Sequence, residues 1–362
     1  MVLREQQCCC GVSRRQAIHT AEFMLVHCMK CVDVSLRAAG PAFVVFAITL
    51  ISGVIWTWFT YVIDQLAAEG TLLRYAHISV AFTLIFNVFF NYLSTVLTPP
   101  GATPAEYEHP PADPEARLED PNEQYYADGF SRFCKKCRRP KPQRAHHCSI
   151  CRSCVLKMDH HCPWVAQCVG YRNYRTFVLF MLWLWLGCLY VMASMGPTFL
   201  KLVKHRPRSE DHGPIVFSCV LALSVSIAVG ILLFWHVYLM ATGQTTIEWY
   251  NNRVRAADAR KRGAVYLNPW DLGVITNIAM VLGSREDPYN WLWWIWPHFR
   301  YTPPGDGVVF GKRRELGFAC IPCDVDEGAG DAAMTALPAA AADSSRVGQA
   351  LGLSQPQAPH HE

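Results

Sequence analysis

Seven cysteines and four histidines fall in one run of the chain, FCKKCRRPKPQRAHHCSICRSCVLKMDHHCPWVAQCVGYRNYRTF, from Phe133 to Phe177. A structural zinc takes four tetrahedral cysteine or histidine ligands, and a CxxC step turns two sulfurs toward one metal. Three such steps are present: Cys134/Cys137, Cys148/Cys151 and Cys151/Cys154. Two zinc sites use eight of the eleven candidate ligands and leave three. If the chain alternates between two metals, one partition gives Cys134, Cys137, His147 and Cys154 to the first and Cys148, Cys151, His161 and Cys168 to the second. His146, His160 and Cys162 then stay free, with Cys162 held between two ligands, two residues from His160 and three from Asp159. A thiol, an imidazole and a carboxylate so placed supply a nucleophile, a base and an orienting group, and a neighbouring histidine favours the attacking thiolate. The other reading makes all of these residues ligands of a membrane-anchored zinc module. Three leftover groups cannot fill a third site, however, and that reading leaves Asp159 and His160 without a purpose.

The elements that must position this run are membrane helices. The 362 residues are 51% hydrophobic and 17% charged, with the apolar residues gathered in long blocks, which excludes an ordinary soluble domain. About 20 apolar residues cross a bilayer, and residues 42–63, 76–97, 176–197 and 215–240 each suffice. The fold class is an all-α integral membrane protein, with four transmembrane helices and a cytosolic zinc-binding cysteine-rich domain between spans two and three. Residues 1–41, 98–175 and 241–362 carry 5, 12 and 11 Lys/Arg, against 1 and 4 in the two opposite loops. The positive-inside rule assigns the first group to the cytosol. Fourteen of the 16 cysteines lie on that side, where a disulfide framework is not expected. A net charge of +4, spread along the chain, gives no footprint for nucleic acid and suits anionic lipid or a phosphorylated ligand.

The chain divides into a cytosolic arm (1–41) bearing Cys8, Cys9 and Cys10, and transmembrane helices one and two (42–97). A linker with the cysteine-rich domain (98–175), helices three and four (176–240), a cytosolic C-terminal region (241–327) and a tail of disordered composition (328–362) follow. Thr98-Pro99-Pro100-Gly101 ends the second span. The Cys/His run enters the third span almost directly, so its chemistry sits at the cytosolic surface of the bilayer. The apolar piece after Asn268 is too short to span and reads as a helix packed on the others. Gly187 reads either as room for a long acyl chain or, by a small margin, as a small residue for helix packing, and Asn87 and Asn91 as interhelical hydrogen bonds rather than substrate contacts. No internal repeat is read.

Asp159, His160, His161 and Cys162, in the frame CxxC, RRPKPQRAHHC, CxxC, DHHCPW, CVG and YRNYRTF, resemble the cysteine-rich domain of the DHHC protein S-acyltransferases, or palmitoyltransferases. Thr98 to Gly101, Thr245 to Glu248 and Asn268-Pro269 match the family's DPG-like, TTxE and C-terminal asparagine motifs, so the likeness covers roughly residues 40–285. The resemblance implies a ping-pong reaction. Cys162 takes a long-chain acyl group from acyl-CoA and passes it to cysteines of protein substrates near the cytosolic membrane face. His160 acts as base and Asp159 orients it. It also implies that the two zincs are structural, that Lys141 and Arg144 hold CoA phosphates, that Thr246 supports Asp159 and that Asn268 braces the helices. The membrane it implies is the ER or Golgi. The acyl tail needs a dry space, which the four spans supply. The family carries two asparagines where this chain has Ala166 and Gln167; Gln167 has the reach to replace an amide contact and Ala166 has none.

Two other functions share these residues. A catalytically weak or inactive zinc-finger adaptor keeps both metals and takes no acyl label at Cys162. A membrane ubiquitin ligase predicts a cross-brace and strands Asp159 and His160.

Overall fold

The computed structural model describes residues 14–105, 133–205, 212–283 and 301–311, with 294, 295 and 297. Cys8 to Cys10, most of the linker, the Cys320/Cys323 step and the tail lie outside the described residues. Among the described residues four helices are long and apolar enough to cross a bilayer: Cys28–Tyr61, Leu72–Leu97, Tyr174–Lys204 and Gly213–Ala241. The protein is an integral membrane protein with four spans.

The first of these belongs to α1 (Arg14–Tyr61), a continuous helix of 48 residues. The arm therefore does not end where the bilayer begins. Helix α1 enters the membrane as one rod, and the short α2 (Ile63–Leu66) turns the chain toward α3 (Leu72–Leu97). Thr71 caps α3 by accepting a hydrogen bond from Arg74 N at 3.3 Å, and the helix stops at the proline pair. After the cysteine-rich segment come α4 (Tyr174–His205), α5 (Gly213–Ala241), α6 (Thr246–Lys261) and α7 (Val274–Leu282). Helix α4 packs along both α3 and α5, and α7 packs on α5 and α4, where the sequence predicts a short packing helix.

The cysteine-rich segment is not helical. It forms three antiparallel hairpins: β1 (Phe133–Cys134) with β2 (Arg139–Pro140), β3 (His146–Cys148) with β4 (Ser153–Val155), and β5 (His160–Cys162) with β6 (Gln167–Val169). Cys134 pairs with Arg139, Cys148 with Ser153 and Cys162 with Gln167. Each hairpin is the previous one displaced by 14 residues. The tight turns repeat as well, with Arg138, Arg152 and Ala166 in the left-handed region at φ 54°, 57° and 57°. The expectation of no internal repeat is thus corrected: its period is too short and its sequence too divided among charged residues to stand out without the hairpins.

The third hairpin is the one sunk into the bundle. Cys162, Val165 and Val169 are buried with Tyr92 of α3 and with Tyr174, Phe177 and Met181 of α4. Burying a large apolar side chain contributes about 1.5–3 kcal/mol, so this cluster fixes the hairpin to the adjoining ends of α3 and α4. Asn87 and Asn91 donate within their own helix, to Thr83 O and Asn87 O, both at 2.8 Å. Their expected role between helices is corrected, because a side-chain amide in a dry span finds the carbonyl four residues back first.

Candidate active site

The hairpins bring the expected ligands into two groups, Cys134, Cys137, His147, Cys154 and Cys148, Cys151, His161, Cys168. A tetrahedral zinc with Zn–S of about 2.3 Å and Zn–N of about 2.1 Å needs S···S near 3.8 Å and S···N near 3.6 Å. In the first group His147 Nδ1 lies 3.5, 3.2 and 3.9 Å from the sulfurs of Cys134, Cys137 and Cys154. In the second, His161 Nδ1 lies 3.7, 3.3 and 3.7 Å from those of Cys148, Cys151 and Cys168. Cys137 N and Cys151 N each donate to the sulfur three residues back at 3.3 Å, closing the turn of the knuckle. Both Cys3His groups therefore fit zinc, which when bound cross-links hairpins too small to hold a core of their own.

Cys162 heads a third knuckle with Val165 where the second cysteine would stand. It joins neither group, and the thiol is left beside His160. Asp159 is 1% exposed, and its Oδ2 accepts from His160 Nδ1 at 2.7 Å. Thr246, the first residue of α6, donates its N–H to Asp159 Oδ1 at 2.9 Å and its hydroxyl to Oδ2 at 2.8 Å. The N-terminus of α6 thus faces a carboxylate, which its dipole favours. Burial alone would raise the Asp159 carboxyl, but the bond and charge of His160 and the Thr246 N–H hold it below the usual range. Burial also opposes charge on His160; the Asp159 bond and the nearby Cys162 thiol outweigh it and raise His160 to about 9.

Both flanks of α6 are tied to the hairpins. Glu248 and Thr245 form a capping box, and Glu248 accepts from Arg144 Nε and Nη2, both at 2.6 Å. Arg144 also donates to Gly243 O at 3.0 Å and lies beneath the rings of Trp270 and Phe310. The Arg144 guanidinium is buried and ion-paired with Glu248. Lys141 stays half-buried at the edge of the same hairpin region. Asn268 donates to Thr242 O at 2.8 Å and accepts from Trp270 N, which fastens the end of α5.

Gln167 and Ala166 have separate tasks. Gln167 Nε2 donates to the carbonyls of Thr95, Val96 and Thr98 at 2.5, 2.9 and 3.0 Å, capping α3. A Cβ placed on Gly40 of α1 would come within 2.9 Å of the Ala166 Cβ. Tyr92 donates to Trp164 O at 2.7 Å, and Phe43 meets the Trp164 ring edge-on at 5.5 Å. The turn after Cys162 is therefore gripped by α1 and α3.

Beneath Cys162 and His160 an apolar cavity of about 430 Å³ runs up between the spans, lined by Tyr92, Phe177 and Phe180 and ending at Trp58 and Tyr190. Small-molecule sites occupy about 300–1,000 Å³. Gly187 lines this cavity, and a Cβ there would meet nothing within 4 Å, so of its two readings room for a chain replaces helix packing. At the far end Trp58 donates to Ser194 Oγ at 3.0 Å, and Tyr190 pairs with His77 Nδ1 at 2.9 Å. Sequence reasoning missed His236 of α5, which joins Asp159 and His160 in one cluster. The available signal was an ionisable residue inside a span.

Residues 127–253 match the DHHC palmitoyltransferase family. The chain is 37% identical over 237 residues to Probable protein S-acyltransferase 16 of Arabidopsis thaliana, covering 64% of this chain and 78% of the relative. It is 33% identical to Probable protein S-acyltransferase 15 of the same plant, over 65% and 88% of the two chains. It is 29% identical to Palmitoyltransferase ZDHHC16A of Danio rerio, over 77% and 80%. With its two Cys3His groups and an unligated Cys162 at the foot of four spans, the chain belongs to the DHHC palmitoyltransferase family and is a protein S-acyltransferase.

Proposed function

We propose that Cys162 is the nucleophile of a two-step transfer from long-chain acyl-CoA to cysteines of membrane-proximal protein substrates. The observation that carries this reading is the seating of Cys162 and His160 together at the wall of the apolar cavity, with Asp159 bonded to the far side of His160. In the first step His160 takes the proton of Cys162, and the thiolate attacks the thioester carbonyl. The bond to the CoA sulfur breaks, and CoA leaves as the thiol with the proton from His160. In the second step an acceptor cysteine gives its proton to His160 and attacks the acyl-enzyme. Cys162 is then released and recovers that proton, so the sum neither gains nor loses one. Asp159 keeps His160 basic enough to accept a thiol proton, and Thr246 keeps Asp159 in place.

The acyl tail occupies the apolar cavity and the CoA head stays in the cytosol, where Lys141 with Arg138 and Arg139 offers charge to phosphates. Asn268 and Arg144 act as braces for the ends of α5 and α6. The two zincs stand as structural metals, the lipid bilayer is the only other partner required, and the membrane is that of the ER or Golgi.

Hydroxylamine-sensitive labelling with an alkynyl fatty acyl-CoA tests the reading. Wild type takes one label, and Cys162→Ser loses it while keeping two zincs. Absence of label on zinc-loaded wild type would instead establish the chain as a zinc-finger adaptor.

A further inference from the structure

The Asp159–His160 pair is backed from inside the membrane. His236, near the cytosolic end of α5, is 1% exposed and brings a ring nitrogen within 4.8 Å of the ligand atoms of Asp159 and His160. Its Nδ1 lies 2.9 Å from the hydroxyl of Tyr174, the first residue of α4. The His236 and His160 rings are 5.8 Å apart, and Phe177 lies 5.3 Å from each of them. His160 is therefore enclosed by three groups: Asp159 bonded at one nitrogen, and Phe177 and His236 around the ring. Asp159 and His160 from the third hairpin, and Tyr174 from α4, are the titratable groups that face His236 among the described residues.

An ionisable side chain in a span is costly and marks a function more often than a packing need. Filling the volume would be met by leucine or phenylalanine. A histidine here obliges Tyr174 to spend its hydroxyl on it, and that bond fixes the plane of the ring. We propose that His236 is a positioning residue for acyl transfer, holding the His160 imidazole toward Cys162 from the membrane side while Asp159 holds it from the cytosolic side. Tyr174 is the anchor of that brace. The inference rests on the reading of Cys162 and His160 given above. A misplacement of about 1 Å at a reacting group costs about 10²-fold in rate, which sets the size of the effect.

The test is single-turnover labelling of the full-length enzyme with palmitoyl-CoA, over a range of substrate concentration and pH. His236→Phe keeps the ring and removes both nitrogens; it lowers the maximal acylation rate by about 10- to 100-fold and leaves the half-saturating concentration within about twofold. Tyr174→Phe reproduces the loss, and combining it with His236→Phe adds nothing further. Wild-type rate in His236→Phe, or a loss confined to substrate affinity, overturns the proposal. Should His236→Phe shed zinc, Tyr174→Phe decides, and an unchanged rate there overturns it. Unlabelled wild type would refute the assignment of Cys162 itself, an outcome separate from all of these.

Discussion

The second and third hairpins share one frame and came out with opposite properties. Ala145-His146-His147-Cys148 and Asp159-His160-His161-Cys162 are aligned by the 14-residue step, and His147 and His161 each fall in a Cys3His group that fits zinc. Cys148 has Cys151 three residues on and is a ligand; Cys162 has Val165 there and is not. His146 has Ala145 before it, and burial, helped by the charges of Lys141 and Arg144 and opposed by Glu248, pushes it down to about 4. His160 has Asp159 before it and stands at about 9. Two differences within the repeat thus separate a cysteine in a Cys3His group from the one proposed as the nucleophile. The scaffold that holds the thiol rigid is the same scaffold that would otherwise have consumed it.

That comparison is open to attack at both hairpins. The largest effect belongs to Cys148→Ser, which takes a ligand from a structural zinc whose binding is worth about 10–16 kcal/mol in small zinc domains. The metal-to-protein ratio falls from two to one and cooperative unfolding is lost, whereas Cys162→Ser keeps both. Asp159→Ala comes next, since it gives the third hairpin the Ala-His-His-Cys run of the second. Acyl-enzyme formation drops by about 10²- to 10⁴-fold, with zinc retained. The sign of its pH effect follows from the cause of the shift. Asp159 raises His160, so in wild type the proton His160 takes from Cys162 stays on the imidazolium up to about pH 9, and above it the proton with which CoA leaves is lost and the rate falls. The variant loses its imidazolium at a lower pH, in the direction of His146, and a pH profile of labelling unmoved by the substitution would break the comparison.

Arg144→Met is the smallest of the three and tests whether one clamp serves both hairpins. It strands Glu248, which is buried and hydrogen-bonded to Arg144, and costs about 3–5 kcal/mol in thermal unfolding. Burial would raise the Glu248 carboxyl, yet Arg144 and the Thr245 N–H hold it below its ordinary value. The wild-type advantage is therefore complete above the ordinary glutamate range and fades as pH falls through the depressed value. Labelling falls along with stability, because α6 carries Thr246 to Asp159.

The sequence made the four spans legible because a bilayer imposes a length on apolar blocks, and it made the ligand sets legible because zinc imposes a number and a spacing. Subtraction of eight ligands then pointed to Cys162. What it concealed were contacts across the fold. Arg144 looked like a surface cation within RRPKPQR, and only the approach of α6 turns it inward to Glu248. His236 sits alone in an apolar run, where spacing carries no message about a neighbouring imidazole. The reach of α1 beyond the bilayer was hidden because a helix in the cytosol needs no long apolar block to announce it.

Gly40 and Ala166 leave each other no spare volume. Ala166 keeps a left-handed backbone at φ 57°, a conformation that asparagine tolerates better than alanine. The small side chain is retained against that preference because α1 lies on top of it. The two positions therefore form a matched pair, free to vary only together. A relative with asparagine at the hairpin must carry its first helix farther out, and across the family the tilt of that helix should track the size of one side chain in the turn after the cysteine aligned with Cys162.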